Sequence, residues 1–85
     1  MTTTFVLTIG ERPIATTDNL ETAQAEALAA ETRDQSEPRE HRWDLATTWQ
    51  TSNGRVWQLM VRSPRTNRWN KTLRSVIEVP ILPSV

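Results

Sequence analysis

His41 to Ser63 reads HRWDLATTWQTSNGRVWQLMVRS and holds three of the four tryptophans, so the way its two halves align decides the fold. Side chains along a strand alternate between two faces. In the first half Trp43, Leu45, Thr47, Trp49 and Thr51 share one face, while Arg42, Asp44, Ala46, Thr48 and Gln50 share the other. In the second half Arg55, Trp57, Leu59 and Val61 point one way and Val56, Gln58, Met60 and Arg62 the other. A two-residue turn at Asn53 and Gly54 sets Trp49 against Gln58 and leaves both sides half apolar. A three-residue loop of Ser52, Asn53 and Gly54, with Gly54 left-handed in a G1 bulge, sets Trp49 against Trp57 and Leu45 against Val61. Only the second register collects Trp, Leu and Val on one face, and glycine takes positive φ without steric cost. That register is the one expected. An aromatic cross-strand pair contributes about 0.2 to 1 kcal/mol beyond alanine. Burial matters more, since each Trp hides about 150 to 250 Å².

Outward from the hairpin, Thr3 to Ile9 alternates Phe5, Leu7 and Ile9 against Val6 and Thr8, which predicts a first strand. Gly10 to Pro13 reads as a turn, followed by a short extended return at Ile14 to Thr16. Asp18 is the expected N-cap, and Glu21 completes a capping box. The helix runs to Arg33 or Asp34 before Ser36, Glu37 and Pro38 stop it. Leu20, Ala23, Ala27 and Ala30 form a stripe of mostly small side chains, which lets the helix sit close to a sheet while Trp fills the remaining space. After the charged connector Ser36 to Glu40 and the hairpin, Ser63 to Asn67 reads as a turn and Arg68 to Val79 as a fourth strand. Trp69, Leu73, Ile77 and Val79 are expected to face inward, with Val76 outward. Pro80 and Pro83 end strand pairing, which leaves residues 80–85 as an irregular apolar tail. The order β-α-β-β-β predicts a single α+β domain over residues 1–85, with two layers: one antiparallel sheet and a single helix packed on one face.

A chain of 85 residues buries only about 60 to 65 per cent of its unfolded surface, so its stability margin is thin. The absence of cysteine removes disulfides, thiolate chemistry and cysteine-ligated zinc. No basic leader or long apolar run is present, and a cytoplasmic location is expected. Zero net charge hides a polarity. Residues 1–40 hold eight acids and three bases, a balance of −5; residues 41–85 hold seven bases and two acids, a balance of +5. Such asymmetry points to a charged partner or to attraction between the two halves.

Catalysis is not expected. His41 is the only histidine, tyrosine is absent, and no serine lies in a nucleophile-elbow or phosphate-loop context. Glu40, His41 and Asp44 make a weak ligand set at a strand start, better read as a solvated strand end, and no metal, cofactor or small-molecule substrate is expected. Arg62, Arg65, Arg68, Lys71 and Arg74 form a basic run free of acids, and with Trp69 as a stacking surface they define the candidate nucleic-acid or anionic-partner site. A pI near 6.6 weighs against it. VRSPRTNRWNKTLRS, residues 61–75, resembles short basic strand-turn-strand segments of small phage and mobile-element proteins, but it carries no diagnostic motif. The leading expectation is a protein interface or homo-oligomer contact at Ala46, Val56, Met60, Ile81 and Leu82, on the sheet face that one helix leaves open and on the sheet edges. Nucleic acid is the alternative partner, and no membrane partner is expected.

Overall fold

A computed structural model of the chain describes residues 3–33, 35, 39–45 and 55–80. Its elements are β1 (Thr3–Ile9), β2 (Arg12–Thr17), α1 (Leu20–Thr32), β3 (Glu40–Leu45), β4 (Val56–Arg62) and β5 (Trp69–Pro80). They make the expected α+β architecture: among the described residues, a five-stranded antiparallel sheet in the order β2-β1-β5-β4-β3 and one helix. β1 and β5, from opposite ends of the sequence, pair in the middle of the sheet, and α1 carries the chain from edge strand β2 to edge strand β3. Among the described residues no helix is long and apolar enough to cross a membrane.

The core forms where the small stripe of α1 meets the sheet. Ala23 and Ala27 are buried in one cluster with Phe5, Leu7, Trp57 and Val76, and Leu20 and Trp43 pack against it. The Phe5 and Trp57 rings lie 6.1 Å apart at 55°. Two methyl-sized side chains bring the helix axis close, and the indole and phenyl rings occupy the space between. The expected match of small helix residues to a Trp-bearing face therefore holds at Trp57. Trp49 lies outside the described residues.

The hairpin register departs from expectation. Trp57 pairs with Leu45 in place of Trp49, and Val61 pairs with His41 in place of Leu45. The shift is four residues, an even number, so every side chain keeps its face. Turn chemistry considers two strands only, whereas β4 must also pair with β5 on its other side, where Trp57 stands opposite Val76. The expected loop at Ser52 to Gly54 and the second half of the first strand lie outside the described residues.

Smaller corrections have local causes. The turn is confined to Gly10 and Glu11; Gly10 has φ +60° and donates its N–H to Leu73 O at 2.6 Å. Pro13 therefore lies inside β2, tolerated because β2 is an edge strand with a register shift beside it. The N-cap is Asn19, not Asp18: its extended backbone lets Oδ1 accept from Thr22 N–H at 3.1 Å, which places Glu21 too early for a capping box.

The larger correction concerns β5. Leu7 and Trp57 both stand opposite Val76, so the even positions Arg74, Val76 and Glu78 face α1 and the odd positions Ile77 and Val79 face away. Val76 is fully buried, whereas Leu73 is 71% and Val79 40% exposed. Two charged residues are tolerated on the helix side because each meets an opposite charge: Arg74 Nε donates to Glu31 Oε2 at 2.8 Å, and Arg55 Nη2 to Glu78 Oε2 at 3.0 Å.

The close helix approach makes a testable claim about size. Ala27→Leu is expected to overpack the layer and destabilise the fold by about 1 to 3 kcal/mol. Ala29→Leu, on the exposed side of the same helix, should stay within about 0.5 kcal/mol of the parent. Thermal and urea unfolding followed by circular dichroism compares the two.

Candidate protein-interaction surface

The sheet face turned away from α1 follows from the registers. One row runs Thr16, Val6, Ile77 and Val56 across β2, β1, β5 and β4, with Val79 beside Thr4 in a neighbouring row. Next comes a polar row of Thr8, Ser75, Gln58 and Asp44. Thr8 Oγ1 and Ser75 Oγ share a 2.6 Å hydrogen bond there. At the far end lie Met60, Lys71 and Arg42, then Arg62, Trp69 and Glu40. One end of the face is thus apolar and the other carries both signs of charge.

A bulge in β5 separates the two ends. Between the pairs Gln58–Ser75 and Met60–Lys71, β4 contributes only Leu59, while β5 contributes Thr72, Leu73 and Arg74. Extra residues on one strand leave carbonyls without ladder partners. Gln58 Nε2 supplies the missing donors, reaching Thr72 O at 2.8 Å and Arg74 O at 3.0 Å, and Thr72 Oγ1 donates to Leu59 O at 3.0 Å. The bulge leaves Leu73 as the most exposed of the large apolar side chains among the described residues.

The charged end is internally paired. Arg42 makes two contacts with Asp44, at 3.0 and 3.1 Å, and Arg62 pairs with Glu40. Both guanidiniums lie over the Trp69 ring, Arg42 at 4.4 Å and Arg62 at 5.1 Å from its centroid, within cation–π range. Arg55 lies over Trp57 at 4.9 Å, and its hydrogen bond to Glu78, with the charge of that carboxylate, holds its pKa above the ordinary guanidinium value. The pairs Arg62–Glu40 and Arg74–Glu31 join the basic second half of the chain to the acidic first half, so part of the −5/+5 polarity is neutralised within the molecule.

The basic run is divided by the fold. Arg62, Trp69 and Lys71 lie on the open face, and Arg65 and Arg68 are exposed in the connection from β4 to β5, where Arg65 N–H donates to Ser63 Oγ at 3.3 Å. Arg74 lies on the opposite face, beside Glu31. A groove of about 380 Å³ opens beside this connection, lined by Arg39, Glu40, Arg62, Ser63, Pro64, Thr66 and Asn67. Among the interface candidates, Val56 and Met60 are half-buried on the open face; Ala46, Ile81 and Leu82 lie outside the described residues. Among the described residues no three His, Asp or Glu side chains gather to hold a metal ion. His41 Nε2 instead lies 3.2 Å from Gln35 Nε2.

Two contributors escaped the sequence reading. Arg42 was legible by parity, since it shares its strand face with Asp44 and stands opposite Met60, next to Arg62. Gln58 had no sequence signal, because its role depends on a bulge in another strand. Comparison with protein-family models, with curated proteins and with solved structures finds no match to this chain.

Gln58→Met keeps the length of the side chain and removes its amide donors. It is expected to cost about 1 to 3 kcal/mol by stranding the bulge carbonyls. Urea titration gives the value, and amide exchange in β5 should quicken around Thr72 to Arg74.

Proposed function

We propose that the protein is a small non-enzymatic binding module that associates with protein, and in the first place with a second copy of itself, through the open sheet face and the sheet edges. The observation that carries this reading is the orientation of β5. Its apolar alternate residues Ile77 and Val79 turn away from α1 beside half-buried Val6 and Val56, while Leu73, 71% exposed, stands beyond the polar row of Thr8, Ser75 and Gln58. Exposed apolar side chains such as Val79 and Leu73, beside a half-buried apolar row, suit a contact surface. A second copy suits the surface because Arg42, Arg62 and Lys71 lie near Glu40 and Asp44, so a two-fold contact can set unlike charges against each other.

The alternative, nucleic-acid binding through Arg62 to Arg74, draws support from the exposure of Arg65, Arg68 and Lys71. Against it stand the carboxylate partners of Arg62 and Arg74 and the guanidiniums already over Trp69.

Light scattering coupled to size exclusion, over a range of loading concentrations, is expected to show a mass rising from that of one chain towards that of two. A constant single-chain mass would remove self-association. Anisotropy titrations with duplex and single-stranded oligonucleotides are expected to show no salt-sensitive binding. Binding that weakens steeply with salt and is lost in Arg65→Ala/Arg68→Ala would put nucleic acid in place of protein as the partner.

A further inference from the structure

Building on the reading of self-association, we propose that two copies pair through the outer edge of β3, antiparallel, about a two-fold axis at Trp43. Among the described residues the sheet has two edges, β2 and β3. On β2, Pro13 lacks an N–H and a register shift interrupts the strand, both of which discourage a further strand. β3 contains no proline and pairs with β4 without a break, so among the described residues it is the edge with an uninterrupted run of backbone groups.

The side chains of β3 then select one register. With Trp43 opposite Trp43 of the second copy, Arg42 stands opposite Asp44 and Asp44 opposite Arg42. Arg42 and Asp44 are already bonded to each other and both half-exposed, so four charges would alternate in sign around the axis. On the other face the same register sets Leu45, 53% exposed and, among the described residues, without a cross-strand neighbour on its outer side, against His41 of the second copy, beside the two indoles.

Neighbouring registers fail on like charge or on facing. Centring on Arg42 opposes Arg42 to Arg42 and Glu40 to Asp44. Centring on Asp44 opposes two aspartates. Centring between residues exchanges the faces, setting Arg42 against Trp43 and turning the two helices to opposite sides. The Trp43-centred pair keeps both helices on one side and joins the two open faces into one continuous surface.

The test is a charge exchange. In the dimer of Arg42→Asp the introduced carboxylate stands opposite Asp44 of the second copy, and in the dimer of Asp44→Arg the introduced guanidinium stands opposite Arg42. Each single variant should weaken dimerisation on the order of tenfold. An equimolar mixture of the two should recover a heterodimer of near parental affinity, because positions 42 and 44 are both acidic in one copy and both basic in the other. Each copy in that mixture still carries its like-charged pair internally, so recovery reports the contact between copies. The double variant Arg42→Asp/Asp44→Arg should dimerise like the parent and covers the case in which a single variant folds poorly. Sedimentation equilibrium reads all of these, with circular dichroism checking the fold. A parental dimer that neither single variant weakens, or a mixture that fails to recover, overturns the β3 pairing and leaves self-association through the open face standing. A parental chain that stays monomeric overturns self-association itself.

Discussion

The contact of Ala23 and Ala27 with Trp57 and Phe5 holds the two layers together, and the rest of the fold is arranged around it. An 85-residue chain has room for only a few large buried side chains. Here two rings, the aliphatic side chains of Leu7 and Val76 and two methyl groups share the interlayer space, so the helix lies near the strands and few further residues are needed to close the core. Helix capping by Asn19 and the Glu31–Arg74 pair then fix where α1 begins and how its last turns meet β5.

β5 is the second constraint. It pairs with both β1 and β4, and Val76 lies at the point where Leu7 and Trp57 meet it. A central strand with two neighbours cannot choose its own facing: once Val76 enters the core, the charged residues on either side must follow it to the helix side. Glu31 and Arg55 make that arrangement tolerable by meeting Arg74 and Glu78. The same constraint turns Ile77 and Val79 outward, while the bulge held by Gln58 exposes Leu73. The outward facing of Ile77 and Val79 is thus a direct result of how the core is filled.

The charges tell a complementary story. Pairing across the β3–β4 and helix–β5 contacts neutralises part of the acidic and basic halves within one molecule and divides a run that looks continuous in sequence. What remains on the face away from α1 is a half-buried apolar row with Val79 and Leu73 exposed, a polar row, and charges of both signs at the far end, with β3 as an edge strand free of proline. The proposal of a protein partner rests on these features.

Local sequence determined a good deal. The alternation of Phe5 and Leu7, the small stripe of α1 and the shared face of Trp43, Trp57, Leu59 and Val61 are all visible from period and parity, because both reflect burial on one side of a regular backbone. The interface candidates Val56 and Met60 followed from the same parity. Only the tertiary structure decided the β3–β4 register, the facing of β5 and the splitting of Arg74 from Arg62. Each depends on a strand satisfying two neighbours at once, whereas residue alternation along a single strand records only that two faces differ and leaves open which of them the helix will cover.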